Sequence, residues 1–238
     1  MTNENIYKKL EIADDYLTIL QKRKGLCSFD SNYLQKNILK NSKVLDLGCG
    51  VGRHLAQFGN EVDIIGIDIS PKMVKIANEI LKKKNINAKA AEGEILNIDK
   101  LFKDETFDTV IMMYHTFGCI VPMKNRILLL NKIKKLLNRD GFLILHIHNR
   151  NHIKNLKFLL NTYFSNKFEI GDKIISDGNL KSARIHFFSR REIKKILNLT
   201  GFKIDEFINL KFPNEEKQIS GFKKYFYTGG FIIKAKKS

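Results

Sequence analysis

The chain predicts an α/β fold: a Rossmann-like seven-stranded sheet, parallel except for the last strand, with helices on both faces. Three observations carry that prediction. Short apolar runs of strand length alternate with amphipathic segments of helix length, the order a parallel sheet with crossover helices requires. The first of these runs ends in a turn with glycines at positions 48, 50 and 52, and the second ends on Asp68. At 238 residues, the chain fits one large domain of this class.

Taken in order, residues 3–22 place Ile6, Leu10, Ala13, Leu17 and Leu20 at spacings of three to four, which reads as an amphipathic helix. Residues 44–47 and 62–67 are buried-strand runs, with a helix expected over 51–58 between them. Ser70 and Pro71 start the next helix as N-cap and first helical position. Met73, Val74, Ala77, Ile80 and Leu81 give that helix one buried stripe, running to about Lys84. A third strand is expected over 88–92, a fourth over 107–113, a helix over 125–137 and a fifth strand over 142–147. Residues 149–183 then interrupt the alternation with a helix through Phe164 and a hairpin around Gly171 and Gly178. A helix over 189–199 and strands over 202–210 and 225–234 complete the pattern. The whole chain, 1–238, thus reads as a single domain. It comprises an N-terminal helical cap (1–42), a ligand-binding core (43–148), an insertion (149–183) and a final helix with a strand pair (184–238).

Composition excludes several classes of protein. No apolar run approaches the ~18–20 residues that span a bilayer, and the first ten residues carry Asn, Glu and Lys instead of an apolar signal core. A soluble cytoplasmic protein without membrane contact is expected. Cys27, Cys49 and Cys119 are odd in number and far apart, which fits neither a disulfide framework nor a zinc-ligand spacing. Cys49 and Cys119 read as small buried side chains, and no metal is expected. The net charge is +17, but Arg supplies 8 of the 42 basic residues and Lys the other 34. Specific phosphate and base recognition leans on the planar fork of Arg. A Lys-, Asn- and Ile-rich chain fits the codon usage of an AT-rich genome, so the charge reads first as solvated surface and second as a polyanion-binding face.

The chemistry concentrates in V-L-D-L-G-C-G-V-G-R-H, residues 44–54. Glycines at the end of a buried strand let the backbone turn tightly and approach a ligand without a Cβ in the way. Asp68 follows twenty residues after Gly48, where such folds place an acid for ribose hydroxyls. The third glycine of G-x-G-x-x-G is absent, because His54 and Leu55 occupy that region. A ligand without phosphates fits this turn better than a pyrophosphate. Arg53 and His54 stand at the helix start, either as surface residues or as part of the ligand loop.

Over residues 43–150, and again more weakly over 190–202, the chain resembles the class I S-adenosyl-L-methionine-dependent methyltransferases. The family's glycine motif matches Asp46 to Gly52, its ribose-binding acid matches Asp68, and Met73 matches the apolar residue that lines the adenine. Gly93-Glu94-Ile95 stands where Gly-Asp-Ala is common, so Glu94 takes the place of the acid that faces the adenine amine. The fourth-strand motif matches residues 107–111, and the turn before strand five matches 137–141. The resemblance implies that S-adenosyl-L-methionine is the cofactor. It assigns its contacts to Asp46, Gly48, Cys49, Gly50, Asp68, Ile69, Met73, Glu94, Ile95 and Met113.

Methyl transfer asks mainly that an acceptor be held in line with the sulfonium methyl; a base is needed only when the acceptor must lose a proton. In this fold the acceptor lies at the carboxyl ends of strands four and five. Those ends place Tyr114 and His115 as catalytic candidates, with His115 as proton acceptor or acceptor-orienting group. They also place His146, His148 and Arg150 as substrate-binding candidates, the two histidines sharing one face of a strand. The expected reaction is methylation of a nitrogen or oxygen of a small polar molecule. Two alternatives stand beside it. One is a tRNA methyltransferase, because Arg-Ile-His-Phe-Phe at 184–188 is loosely similar to the wobble-uridine enzymes. The other is a catalytically silent, cofactor-binding partner subunit.

Overall fold

A computed structural model describes residues 24–155, 168–177, 180–211 and 217–237. Helix α1 (Lys24–Asn37) leads into β1 (Lys43–Leu47), α2 (Arg53–Phe58), β2 (Asp63–Asp68), α3 (Pro71–Lys83) and β3 (Lys89–Glu92). A 3-10 turn (Ile95–Asn97) and α4 (Ile98–Leu101) precede β4 (Phe107–Met112), α5 (Thr116–Cys119), α6 (Met123–Leu136) and β5 (Leu137–His148). The hairpin β6 (Asp172–Asp177) and β7 (Leu180–His186) follows, then α7 (Arg190–Leu199), β8 (Phe202–Lys211), α8 (Lys224–Tyr227) and β9 (Thr228–Lys237).

The main sheet runs β3-β2-β1-β4-β5-β9-β8. Strands β1 to β5 pair in parallel, and β9 alone runs against its two neighbours, β5 and β8. The central strands are buried on both faces, so strict alternation of residues decides which helix layer each side chain meets. Leu45, Leu47, Val110, Met112, Leu143 and Leu145 pack with α6 and α7 through Leu129, Ile133, Ile193 and Ile196. Val44, Ile111, Ile144 and Ile232 pack on the other face with α1, α2 and α3 through Leu34, Leu55, Phe58 and Ala77. Asp46 follows Val44 by two residues, and His146 follows Ile144 by two. Both polar side chains therefore lie on the α1–α3 face, at the carboxyl end of the sheet.

The cap on α3 matches the sequence, since Ser70 Oγ accepts the Met73 N–H. Several boundaries differ. Helix α2 begins at Arg53, not at 51, because Gly52 adopts a left-handed φ of 75° and stops the helix from starting earlier. Helix α6 runs Met123–Leu136, not 125–137, and β5 begins at Leu137, not at 142, pairing Leu137 with Phe107 through a register shift. The last strand starts at Thr228, after the short helix α8, not at 225. The hairpin continues to His186, so the insertion ends three residues beyond 183. The helix read over 3–22 lies outside the described residues, as do residues 156–164 of the helix read through Phe164. Helix α1 lies inside the expected helical cap (1–42), beyond the helix read over 3–22; its Tyr33 donates to Glu206 Oε2 at 2.5 Å and ties it to β8. Cys49 is buried, as expected, but Cys119 is half-buried.

Candidate active site

The turn after β1 is built around Gly48, whose φ is +79°. A Cβ there would lie 2.4 Å from Thr116 Cγ2, so only glycine lets the turn pass beneath the segment that follows β4. The Gly48 and Cys49 amides donate to Ile67 O at 2.7 and 3.1 Å. Asp68 caps the same turn: its Oδ2 accepts the Gly50 amide at 2.8 Å and its Oδ1 accepts the Ser70 amide at 2.9 Å. Burial raises the Asp68 pKa, opposed by those backbone bonds. With the Ile69 amide also bonded to it, the carboxylate takes three backbone bonds and keeps acceptor capacity for a hydroxyl donor.

Asp46 is nearly inaccessible, and its Oδ2 meets no hydrogen-bond partner among the described residues. Burial, opposed by Arg53 and reinforced by Asp68, pushes its pKa up to about 7. A buried carboxylate with an unmatched oxygen is expensive unless a cation or donor meets it. Asp46 lines a cleft together with Gly48, Cys49, Val51, Arg53, His54, Met113 and Tyr114. Of the other cofactor-side residues, Met73 is buried beside Val51, and Ile69, Glu94 and Ile95 are half-buried. Glu94 accepts from Asn97 Nδ2 at 2.7 Å.

Beyond β4 the backbone is strained at two consecutive non-glycine residues: Tyr114 and His115 have φ of +50° and +69°. Such positions cost on the order of 1–3 kcal/mol each and cluster at functional sites. The His115 ring stacks on His148 with centroids 3.2 Å apart, and His148 stacks on Phe187 at 4.4 Å. His146 lies 4.3 Å from His115 between ring centroids. Its Nδ1 is 3.2 Å from Asp30 Oδ2, an oxygen that also accepts from Arg53 Nη2 at 3.4 Å. Asp30 on α1 was not among the sequence candidates. It stands 116 residues from His146 in a helix without an obvious apolar stripe, so no local pattern marks it. His54 lines the cleft, and burial followed by the Arg53 charge lowers its pKa to about 3.

Arg150 lies elsewhere. Its guanidinium donates to Glu192 Oε2 at 2.9 Å and Ser189 Oγ at 3.3 Å, within an ion network under the hairpin. That network centres on His186, whose Nδ1 is 2.8 Å from Asp172 and whose Nε2 is 2.9 Å from Glu192. Arg184 pairs with Asp172, and Arg126 with Glu169. Glu169, Asp172 and His186 bring three ligand-type atoms within 4.8 Å of one another, a spacing that would suit a metal. The arginines neutralise those carboxylates instead. The same network takes in Arg184 and His186 of the 184–188 segment, and Phe187 and Phe188 are buried.

A parallel sheet with a glycine turn after β1, an acid closing β2 and an unmatched buried carboxylate between them defines a nucleoside-type ligand domain of the doubly wound class. Comparison with known proteins gives the class its name. Residues 38–201 match the family described as "Methyltransferase domain". An uncharacterized protein of Methanocaldococcus jannaschii is 30% identical over 208 residues, covering 83% of this chain and 75% of its own. A carboxy-S-adenosyl-L-methionine synthase of Nautilia profundicola is 28% identical over 181 residues, covering 71% and 75%. A crystal structure of an S-adenosylmethionine-dependent methyltransferase from Clostridium acetobutylicum superposes with a TM-score of 0.69 at 16% identity, covering 94% of this chain and 98% of that one. The chain belongs to the class I S-adenosyl-L-methionine-dependent methyltransferases, and S-adenosyl-L-methionine is its methyl donor. No helix among the described residues is long and apolar enough to cross a membrane.

Proposed function

We propose that the enzyme transfers the methyl group to a nitrogen or oxygen of a small polar molecule bound over the carboxyl ends of β4 and β5. The observation that carries this reading is burial. His115 and His146 lie beneath the surface, with the His115 ring between His146 and a His148 ring that stacks in turn on Phe187, so an acceptor that reaches them must fit inside the protein. The Nautilia relative supports the small-molecule part of this reading, being a synthase named for a small product. In the same reading, α1 of the N-terminal cap and the described part of the insertion 149–183 cover the acceptor.

The residues present fit the donor. Asp46, with its unmatched oxygen on the cleft, suits the α-ammonium, and Asp68 suits the ribose hydroxyls. Glu94 would face the adenine amine, with Ile69, Met73 and Ile95 around the ring. Gly48, Cys49 and Gly50 would offer close backbone approach, and Met113 would close the cleft floor. S-adenosyl-L-methionine supplies an electrophilic methyl group; the chain's part is to hold the acceptor in line with it and exclude water.

The test is transfer of radiolabelled methyl into two pools: a panel of small amines, phenols and alcohols, and unfractionated tRNA at physiological salt. Label in the small-molecule panel supports the reading. Label confined to tRNA overturns it in favour of an RNA enzyme. Tight S-adenosylhomocysteine binding with no transfer to either pool overturns it in favour of a silent partner subunit.

A further inference from the structure

We propose that His54 sets the acceptor specificity of this enzyme: a ring nitrogen bonds a hydroxyl of the small molecule, which is taken in preference to the same molecule without it. This deepens the small-molecule reading above and rests on it. His54 is the second residue of α2, lines the ligand cleft and is 4% exposed. Neither Nδ1 nor Nε2 meets a hydrogen-bond partner among the described residues. Gln57, one turn later, stands close enough to act on the charge of the ring but closes no bond with it. Its Nε2 donates to Ser31 O at 3.2 Å, and its Oε1 is unmatched as well. A buried polar group without a partner is costly. Packing alone would be served by an apolar residue such as the fully buried Leu55 beside it. An imidazole kept at the cleft with both nitrogens unmatched calls for a partner from outside the chain.

Position assigns that partner to the acceptor. Asp30 on α1 and His146 on β5 both act on the charge of the ring, so it lies toward the β5 side of the cleft. Met113 and Tyr114, just beyond β4, share the cleft wall with it. Asp46 and Asp68, matched above to the ammonium and ribose of the donor, stand on β1 and β2. His54 thus faces the half of the cleft over β4 and β5, where the acceptor binds.

Chemistry then selects the group. Burial and then the Arg53 charge lower the His54 pKa to about 3, opposed by Asp30 and Gln57. Near neutral pH the ring is uncharged, with one N–H to give and one lone pair to receive. At the ring the Arg53 charge outweighs that of Asp30, so an ammonium placed there meets net repulsion. An ammonium also serves only the lone-pair nitrogen, and a carbonyl or carboxylate only the N–H. A hydroxyl both donates and accepts, so it serves either nitrogen in either tautomer. A site built to bond a hydroxyl rejects the analogue lacking it far more strongly than a pocket rejects a missing methylene, because its own polar group is left unmatched.

Two matched pairs of acceptors test this on the full chain: 2-aminophenol against aniline, and catechol against phenol, each pair differing by one hydroxyl. The wild type should favour the hydroxylated member by about 10²-fold or more in kcat/KM. His54→Leu should bring that ratio below about tenfold, while His54→Gln, which keeps a donor and an acceptor, retains most of it. S-adenosylhomocysteine affinity and the donor KM should be the same in all three proteins. A wild-type ratio near one, or a ratio unchanged in His54→Leu, overturns the proposal. So does a His54→Leu protein with weakened S-adenosylhomocysteine binding, which would place the ring in the donor site. A second readout does not depend on turnover. In the 15N-histidine-labelled protein saturated with S-adenosylhomocysteine, catechol should move the ring-nitrogen signals of His54, assigned through His54→Gln, further than phenol does. Equal shifts, or none, overturn the proposal. Absence of methyl transfer to any small molecule marks failure of the broader reading, and the spectrum then decides the role of His54 alone.

Discussion

Two clusters in this protein share one composition. Asp30, Arg53, His146 and Asp46 gather beside the ligand cleft; Asp172, Glu192, Arg184, Arg150 and His186 gather under the hairpin. Both join histidine, carboxylate and arginine in buried surroundings, yet only one has chemistry left to do. Under the hairpin, His186 gives both ring nitrogens to carboxylates, and each carboxylate meets a cation. Beside the cleft, an oxygen of Asp46 meets nothing among the described residues. Residue types alone do not mark a site. The cleft is marked by a carboxylate oxygen that no described residue meets, while under the hairpin the histidine and its carboxylates are all paired and hold structure together.

The comparison breaks most readily on the hairpin side. Asp172→Ala takes the carboxylate from Arg184 and from His186 Nδ1, leaving His186 with Glu192, and removing one partner of a buried pair costs about 3–5 kcal/mol. Urea unfolding should show a loss of that order, while the folded fraction still binds S-adenosylhomocysteine. Burial raises the Asp172 and Glu192 pKa values, but hydrogen bonds from His186, with Arg184 and Arg150, outweigh it and leave both lowered. A lowered carboxylate contributes stability above its unfolded value and loses it as pH falls toward the folded one. This contribution should be full at neutral pH and decline below pH 4.5 and then 3.8, the ordinary Glu and Asp values.

On the cleft side, Asp68→Ala should weaken S-adenosylmethionine and S-adenosylhomocysteine alike by about 1.5–3 kcal/mol, the worth of charged hydrogen bonds. Calorimetry checks this; unchanged affinity would remove Asp68 from the ligand site.

Asp46 sharpens the contrast through pH. Its folded pKa of about 7 exceeds the ordinary 3.8, so the ligand-free protein loses stability as pH rises between those values and levels off above them. Asp46→Asn should abolish that slope. A ligand ammonium favours the charged carboxylate, so S-adenosylhomocysteine affinity should rise from pH 6 to pH 8 in the wild type and stay flat in Asp46→Asn. The smallest effect is expected at His115, which stacks on His148 and is not among the residues that line the cleft: His115→Ala should slow single turnover less than about tenfold, below the range of a lost general base.

What the sequence made legible follows from distance along the chain. Asp46, Gly48, Gly50 and Asp68 lie within one β-α-β unit, so spacing alone brought them together, and the parallel pairing of the first five strands followed from the same alternation. The Asp30–His146 contact joins two elements that sequence pattern does not connect. Arg150 and the 184–188 segment looked available because their partners, Glu192 and Asp172, are ordinary surface-type residues until the hairpin folds onto α7. The boundary of α2 moved because one left-handed glycine outweighs a helical apolar pattern.

The six histidines offer the most direct test of the central claim, because they sample both clusters. In a ring-nitrogen spectrum of the full chain titrated with S-adenosylhomocysteine, the signals of His54, His146 and His115 should move while that of His186 stays fixed. A ligand that shifts His186 and leaves the cleft histidines unmoved would contradict the account.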